Sequence, residues 1–329
     1  MRLSVLDQSP IISGHDARRA IEETLLLARR ADELGYYRYW LAEHHAIAAL
    51  GDPCPELLLA RLGAEARRMR IGTGGVLLPY YSAFRVAESF RMLEALYPGR
   101  IDLGIGRAPG GDARTAQAVA GGGFPDASHF PEQIRQLIGH LDGTLPDDHP
   151  FKLVRVQPEC ATAPEVWLLG SSDYSGALAA QLGLPFSFAH FINPQGGEQV
   201  TRSYKQNFKP GREKAARVMV CSFLICAETD AEAEKLAAPI DLRRLHMALN
   251  LDTPVPTDEE AARHRYSTEE RRYVMGQRPR AIIGGPATCA SALQEMARRY
   301  DADEMMVLTI TGGYDTRRRS YELLMGAFE

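Results

Sequence analysis

The feature of this sequence that most constrains its fold is an alternation of short apolar runs with longer amphipathic stretches. An apolar run at residues 3–6 ends at Asp7, and a helical pattern then begins after Asp16 and stops at Gly35. The same order repeats along the chain and predicts eight strands, at residues 3–6, 37–42, 69–78, 100–105, 166–169, 186–192, 218–226 and 305–310. Strands that alternate with helices favour a parallel sheet covered by helices.

Eight strand–helix units predict an α/β fold of the (β/α)8 type, a TIM barrel, as a single domain over residues 1–329. The competing architecture is a doubly wound open sheet, which usually has about six strands and a glycine fingerprint after the first strand. Here the first turn reads DQSPIISG and contains no G-x-G. The barrel is therefore favoured.

One long segment, residues 252–280, exceeds what a minimal barrel needs. It holds three prolines, many charges and few apolar anchors. A long segment without anchors inside a compact domain is typical of a lid or a binding loop. We therefore predict a mobile active-site lid at residues 252–280.

Composition excludes several classes of partner. A net charge of −4 and a pI near 6.2 give no reason to expect nucleic acid or an anionic membrane. The opening MRLSVLDQSP is a poor signal peptide, and no stretch approaches the roughly 20 apolar residues of a membrane span. We therefore expect a cytoplasmic protein. Five scattered cysteines without C-x-x-C spacing give little support to a metal or disulfide role.

Unusual residues recur at the carboxyl ends of the predicted strands, where this fold places its catalytic groups. They are Glu43-His44-His45, Gly74-Gly75, Arg107, Gly170-Ser171-Ser172 and His190. Successive residues of a strand point to opposite sides, so only one of His44 and His45 can face the barrel mouth. These histidines could equally be ordinary loop residues, but near a redox cofactor an imidazole can exchange protons. Their spacing does not suit zinc, and no metal is expected.

A phosphate site is predicted from Arg107 together with Ser171, Ser172 and Ser175. A permanently charged guanidinium suits a phosphate, although an isolated arginine could equally form a surface ion pair. The serines open a predicted helix, where hydroxyls, free backbone N–H groups and the helix dipole favour an anion.

Gly74-Gly75 interrupts an otherwise apolar predicted strand. Glycine weakens a strand interior and often marks a close approach of backbone to a ligand. A planar ring stacked on that backbone and tight packing at the narrow barrel core are equally good explanations.

The ordered motifs resemble those of the bacterial-luciferase-like family of flavin-dependent monooxygenases, over about residues 1 to 325. They are LAEHHA, RIGTGGVLLP, GRIDLGIGRAPGG, VWLLGSS and AAQLGLPFSFAH. The resemblance implies that His44 is the catalytic histidine beside the flavin and that a cis peptide at Gly74-Gly75 lies beneath the isoalloxazine. It also implies that Arg107, Ser172 and Ser175 hold the flavin phosphate. Ser171 stands where the luciferase catalytic subunit has a glutamate, and His190 replaces an aromatic residue that lines the flavin site there.

The resemblance therefore implies an enzyme that uses O2 and FMNH2 from a separate flavin reductase to oxidise a small organic substrate. A separate reductase is expected because the sequence shows no second nucleotide-binding fingerprint for NAD(P)H. Two alternatives stay open, namely an F420-dependent hydride-transfer oxidoreductase of the same superfamily and a non-catalytic flavin-binding protein. The resemblance also implies a homodimer that pairs through the predicted helices at residues 55–66 and 82–96.

Overall fold

The computed structural model describes residues 1–107, 110–123 and 126–328 of the chain. Its strands are β1 (Arg2–Asp7), β2 (Arg38–Leu41), β3 (Arg70–Leu77), β4 (Ile101–Gly106), β5 (Glu165–Gly170), β6 (Phe186–Ala189), β7 (Val218–Cys226), β8 (Ala281–Gly284) and β9 (Glu304–Leu308). Its α-helices are α1 (Ala17–Leu34), α2 (Pro55–Glu65), α3 (Ala83–Leu96), α4 (Ala113–Val119), α5 (Phe130–Asp142), α6 (Asp173–Leu182), α7 (Gly197–Gln206), α8 (Asp230–Leu236), α9 (Ala238–Ala248), α10 (Asp258–Arg263), α11 (Thr268–Gln277), α12 (Pro286–Tyr300) and α13 (Tyr314–Gly326).

Eight parallel strands close into a barrel. The pairing runs from β1 through β2, β3, β4, β5 and β6 to β7, continues to β9, and returns to β1. Because each strand is followed by helix, the helices cover the outside of the ring and the carboxyl ends of all eight strands meet at one rim. The predicted (β/α)8 TIM barrel is confirmed.

The ninth strand, β8, was not predicted, and it lies beside the part of β7 that β6 leaves unpaired. β6 ends at Ala189 rather than at residue 192, and it pairs only with the first part of β7. β8 then takes the adjacent place beside the last part of β7, where Phe223 is aligned with Ala281 and Cys226 with Gly284. The four residues of β8 are too few to give a periodic signal in the sequence.

Some helix boundaries follow side-chain capping chemistry, and others do not. The Asp16 side chain accepts a hydrogen bond from Arg19 N at the start of α1, and Gly35 ends that helix in the left-handed conformation, as predicted. Asp230 does not cap the helix after β7, although aspartate is a common capping residue. Thr229 caps α8 instead, and Asp230 accepts a hydrogen bond from Gly285 N. Ser82 occupies the cap position of α3 without making a side-chain capping bond.

Apolar residues form two principal layers, one between the strands and the helices and one inside the barrel. β7 shows the division well, because all of its residues are buried. Cys221 belongs to the inner layer with Trp40 and Met306, whereas Cys226 belongs to the outer layer. The two cysteines thus point to opposite faces of the strand, as their spacing predicts.

A buried ionic network fills the amino-terminal end of the barrel. The Arg38 guanidinium lies 2.6 Å from Asp102 Oδ2 and 2.7 Å from Glu304 Oε1. Each of the three is the first or second residue of its strand, and none is more than 3% exposed. Trp40 Nε1 donates to the same Asp102 carboxylate at 2.9 Å. Charged and apolar side chains thus fill the amino-terminal end of the barrel.

The segment predicted as an irregular lid, residues 252–280, contains regular structure. It includes α10 and α11, each of which begins with a capping box, formed by Thr257 and Glu260 and by Ser267 and Glu270. Its apolar anchors include Val255, which is fully buried and forms a bridge with Ile12. The mobility of the segment stays a prediction.

Across the described ranges, no helix is both long enough and apolar enough to cross a membrane.

Candidate active site

A cavity of about 340 Å³ opens at the carboxyl ends of the barrel strands. Its floor is apolar and is formed by side chains of the inner layer, namely Leu6, Trp40, Leu169, Cys221 and Met306. Seven of the predicted site residues line it, namely His44, Gly74, Gly75, Arg107, Ser171, Ser172 and Ser175. The fold thus brings together residues from four different strand ends, although their roles stay predictions.

The Glu43 carboxylate decides which of the two histidines faces the cavity. Glu43 is buried, and its Oε1 lies 2.7 Å from His45 Nε2 and accepts a hydrogen bond from Tyr81 OH at 2.6 Å. Its Oε2 accepts a hydrogen bond from Leu77 N at 2.8 Å. His45 is therefore held away from the cavity, and His44 alone of the pair lines it. The expectation that only one histidine faces the mouth is confirmed.

His44 is neutral at physiological pH. Burial lowers the pKa of its imidazole to about 4, with smaller contributions from the charges of Arg243 and His45, while the Ala42 carbonyl opposes the shift. Its Nδ1 is buried and has no hydrogen-bond partner in the described part of the chain. A neutral imidazole with an unsatisfied nitrogen can accept a proton from a bound molecule or donate one to it.

The peptide bond between Gly74 and Gly75 is cis, as the resemblance implies. The pairing of β3 with β4 shifts register between Gly74 and Val76, so the strand carries an irregularity where it meets the cavity. A Cβ on Gly75 would lie 2.7 Å from Gly104 O, and one on Gly74 would lie 2.6 Å from Leu6 Cδ1. Packing alone therefore requires glycine here, and the same backbone is also exposed to the cavity for a ligand.

Arg107 and the start of α6 form the polar end of the cavity. The exposed Arg107 guanidinium lies over the Tyr174 ring, with Cζ 4.5 Å from the ring centroid. Ser172 occupies the cap position of α6 without making a capping bond, and its Oγ lies 3.3 Å from Ser175 Oγ. A Cβ on Gly170 would lie 2.1 Å from Ser175 Oγ, so glycine permits this close approach. Hydroxyls, first-turn N–H groups and a guanidinium converge here, which is a donor set suited to a phosphate.

His190 does not line the cavity with the other predicted residues. It follows β6, where Nδ1 lies 2.9 Å from Tyr300 OH and Nε2 lies 3.2 Å from Pro279 O. Both ring nitrogens are thus engaged by residues remote in sequence, and Pro279 lies in the short 3-10 helix Arg278–Arg280 that leads into β8. His190 joins the end of β6 to the end of the predicted lid, and its expected place beside a flavin stays a prediction.

Sequence reasoning missed several residues around the cavity. Gln8 and Ser187 line it, and nothing in their sequence context singles them out. Asp52 lies behind His44, since His44 N donates to Asp52 O at 3.3 Å. Burial raises the pKa of the Asp52 carboxyl to about 7. Arg243 of α9 is also buried close to His44. Only the folded chain shows these proximities, because the residues come from separate strand–helix units.

Among the described residues, no group of three or more His, Cys, Asp or Glu side chains is arranged to hold a metal ion.

Comparison with known proteins shows sequence similarity along most of the chain. The family model described as luciferase-like monooxygenase matches residues 1–303. The chain is 38% identical over 327 residues to a luciferase-like monooxygenase of Escherichia coli (strain K12), covering 99% of this chain and 96% of that protein. It is 34% identical over 331 residues to the N-acetyl-S-alkylcysteine monooxygenase of Bacillus subtilis (strain 168), covering 99% and 98%.

Solved structures show the same architecture. The crystal structure of apo-MsnO8 has a TM-score of 0.89 and 36% identity, covering 99% of this chain and 98% of that one. Two more distant likenesses show the fold alone. The oxygenating constituent of 3,6-diketocamphane monooxygenase from Pseudomonas putida, in complex with FMN, has a TM-score of 0.71 and 19% identity, covering 99% and 96%. An F420-dependent secondary alcohol dehydrogenase, in complex with an F420-acetone adduct, has a TM-score of 0.69 and 12% identity, covering 100% and 99%.

The family model spans most of the barrel, and relatives above 30% identity align over nearly their full length. The resemblance inferred from the motifs is thereby confirmed, and this chain belongs to the luciferase-like monooxygenase family.

Proposed function

We propose that this chain is a flavin-dependent monooxygenase that oxidises a small organic substrate with O2 and with FMNH2 received from a separate reductase. The observation that carries the proposal is the composition of one cavity. One cavity at the carboxyl ends of the strands is lined by the neutral His44, by the backbone of Gly74–Gly75 and by Arg107, whose surroundings suit a phosphate. Family membership supports an enzyme of the monooxygenase class.

The residues present fit an FMN molecule. Arg107, Ser172, Ser175 and the first-turn N–H groups of α6 would hold its phosphate, as helix amino termini do for anions. The Gly74–Gly75 backbone, which carries no side chain into the cavity, would support the flat ring system. Reduced flavin supplies the electrons that activate molecular oxygen, and the protein contributes binding and placement.

His44 would manage a proton at its Nδ1. The imidazole is neutral, so the same atom can accept a proton from the bound molecules and later return it. Glu43 fixes the surrounding loop through His45, Tyr81 and the end of β3, which keeps His44 in place.

The apolar floor would exclude water from the reacting atoms. Leu6, Trp40, Leu169 and Met306 contribute only carbon, sulfur or an already engaged indole N–H to the inner layer. Exclusion of water strengthens the electrostatic interactions within such a site and prevents side reactions. This environment suits oxygen chemistry at a buried centre.

Oxygen transfer is tested by turnover under 18O2, with FMNH2 delivered by a separate reductase. N-acetyl-S-alkylcysteines are the first substrates to screen, because the Bacillus subtilis relative is named for them. We expect one 18O atom in the product and loss of turnover in His44→Asn. Substrate oxidation or reduction without 18O, supported by F420 instead of FMN, would replace the proposal with hydride transfer. Flavin binding without turnover of any substrate would favour a non-catalytic flavin-binding protein.

We also propose that two copies pair through α2 and α3. Leu57 of α2 is 71% exposed, and Met92 and Leu96 of α3 are 53% and 51% exposed. Large apolar side chains left exposed on adjacent helices are typical of a protein interface. Light scattering at micromolar concentration tests the proposal, and a monomer would contradict it.

A further inference from the structure

The residues that line the cavity come from two sides of the barrel. Three consecutive strands, β3 to β5, lead to the Gly74–Gly75 backbone, to Arg107 and to the serines that begin α6, which are the groups suited to a cofactor. The other side is formed by β6, β7 and β9, which follow one another around the ring. β1 and β2 join the two sides, and His44 follows β2, so it stands where they meet.

The side made by β6, β7 and β9 has an apolar bottom. Ala189 is aligned with Cys221, Cys221 is aligned with Met306, and all three line the cavity. Cys221 and Met306 belong to the inner layer and are at most 3% exposed. Met306 is the next inward-facing residue of β9 after Glu304. The cavity therefore reaches down to the layer of side chains directly above the buried ionic network.

The same apolar surface continues to the mouth of the cavity through the loop after β6. Phe191 packs against the inner layer, and its N–H donates to Cys221 O at 3.3 Å. Ile192 lines the cavity beside it and is 50% exposed. Asn193 Nδ2 donates to Ser171 O at 3.0 Å, which ties this loop to the opposite side of the cavity. A large apolar side chain exposed at the mouth of a cavity is a contact surface for an apolar ligand.

We call this surface the apolar wall. It consists of Ala189, Phe191, Ile192, Cys221 and Met306. Burial raises the pKa of the Cys221 thiol, so its sulfur stays protonated and uncharged. Among the described residues that line the cavity, the charged side chains are Arg107, on the opposite side, and Glu43, which already has three hydrogen-bond partners. A charged group placed against the apolar wall would be buried without a counter-charge, which is costly.

We propose that the apolar wall binds the uncharged, apolar part of the substrate, that Ile192 holds this part at the mouth, and that Cys221 sets the depth available to it. Because the cavity of about 340 Å³ also has to take part of the cofactor, the substrate is a small neutral molecule with a short alkyl chain. Ser187, which also lines the cavity, can form a hydrogen bond with one polar atom of such a molecule. The inference rests on the proposed function, in which the opposite side is occupied by the cofactor.

The test varies the apolar length and the charge of one series of molecules. Primary amides of N-acetyl-S-methylcysteine, N-acetyl-S-propylcysteine and N-acetyl-S-pentylcysteine differ in apolar length and are uncharged, and the S-propyl acid adds one charge. These compounds are chosen because the Bacillus subtilis relative is named for N-acetyl-S-alkylcysteines. Calorimetry measures their binding without oxygen, both to the cofactor-free protein and to protein mixed with reduced FMN.

Two variants are each matched with a control. Ile192→Ser shortens an exposed side chain of the apolar wall, and Leu153→Ser does the same to a 93% exposed residue in a turn between α5 and β5. Cys221→Ala removes one buried sulfur from the inner face of β7, and Cys226→Ala removes one from the outer face of the same strand. Thermal unfolding of each variant checks that the barrel stays folded.

We expect the affinity of the wild type for the amides to rise roughly three- to fourfold with each added methylene, and the S-propyl amide to bind more tightly than its acid. Ile192→Ser should lose roughly fivefold in affinity for the S-pentyl amide, since the ligand no longer covers an exposed apolar side chain. Cys221→Ala should increase the preference for S-pentyl over S-propyl by roughly twofold, because the bottom becomes deeper. Leu153→Ser and Cys226→Ala should behave as the wild type.

Several results would overturn the proposal. Amide affinity that does not depend on alkyl length in the wild type is one, and tighter binding of the acid than of its amide is another. Equal behaviour of Ile192→Ser and Leu153→Ser, or of Cys221→Ala and Cys226→Ala, would also contradict it. A loss of reduced-FMN affinity in Ile192→Ser as large as the loss of amide affinity would assign the apolar wall to the cofactor instead.

The same measurements separate this inference from the proposed function. Failure of the wild type to bind reduced FMN would reject the flavin assignment. A dependence on alkyl length that Ile192→Ser weakens in the cofactor-free protein would still support the apolar wall as the binding surface for a neutral molecule.

Discussion

The protonation state of His44 determines whether a molecule bound in the cavity contacts a neutral or a charged imidazole. Its imidazole has a pKa of about 4 when folded and 6.5 when fully solvated, chiefly because burial disfavours the charged form. Between these two values the unfolded chain takes up a proton that the folded chain does not. The contribution of His44 to stability is therefore intact above about pH 6.5 and is lost as the pH falls toward 4.

The first prediction concerns this loss. Between pH 7 and pH 5 the free energy of unfolding of the wild type should fall by at most about 2 kcal/mol more than that of His44→Asn, from the shift between 6.5 and about 4. Urea unfolding at both pH values, with NMR of the imidazole protons, measures it. An imidazole that titrates near pH 6.5 in the folded protein would contradict the burial argument.

At the scale of single elements, the helices in the segment 252–280 gain order from their caps. Ser267 Oγ accepts a hydrogen bond from Glu270 N, and Glu270 in turn accepts one from Ser267 N at 2.7 Å. Ser82, at the start of α3, occupies the same kind of position without a side-chain bond. Ser267 and Ser82 therefore offer a matched comparison of a cap residue that makes a side-chain hydrogen bond and one that does not.

We predict that Ser267→Ala destabilises the first turn of α11 by about 1 kcal/mol, since a capping hydrogen bond is lost. Amide hydrogen exchange should become faster within α11 and stay unchanged in the barrel strands. Ser82→Ala should change exchange in α3 by far less. Similar effects in the two variants would show that the capping box does not order this segment.

The elements also show what can and cannot be predicted from sequence. β7 occurs at the predicted residues 218–226, because a long apolar run is a local signal. β8 was missed, since its strand state depends on β6 ending early and leaving part of β7 unpaired. The same reason applies to His190, whose partners Tyr300 and Pro279 are about 100 residues away in the chain.

The candidate site was largely predictable for a different reason. Its residues occur at the ends of strands, and a barrel brings all these ends to one rim. Arg243 could not be found in this way. It belongs to a helix rather than a strand end, and its burial is visible only in the folded chain.

At the scale of the whole molecule, the buried ionic network and the candidate site occupy opposite ends of the barrel. Arg38 joins β2 to the carboxylates of β4 and β9 at the closed end, far along the strands from the cavity. Removing one partner of a buried ionic network leaves uncompensated charge, which typically costs about 3–5 kcal/mol. Loss of one partner should therefore lower the stability of the whole barrel rather than that of one strand.

We therefore predict that Arg38→Met lowers the free energy of unfolding by about 3–5 kcal/mol, because Asp102 and Glu304 lose their shared cation. Arg298→Met is the control, since its side chain is 77% exposed and pairs with Glu295 in the same helix. It should change stability by less than about 0.5 kcal/mol. Denaturant unfolding measures both, and equal effects would show that the network does not stabilise the closed end.

The central claim is that the cavity at the carboxyl rim is a flavin site anchored at Arg107. The most direct test is an anaerobic titration with reduced FMN of wild type, Arg107→Ala and the control Arg135→Ala, with reduced F420 in parallel. Arg135 is 56% exposed and pairs with Glu132 of its own helix. We predict saturable FMNH2 binding that weakens roughly 10- to 100-fold in Arg107→Ala and is unchanged in Arg135→Ala, as expected for charge-assisted bonds to a phosphate. Binding of F420 alone, of neither cofactor, or of FMNH2 with equal affinity in Arg107→Ala would contradict it.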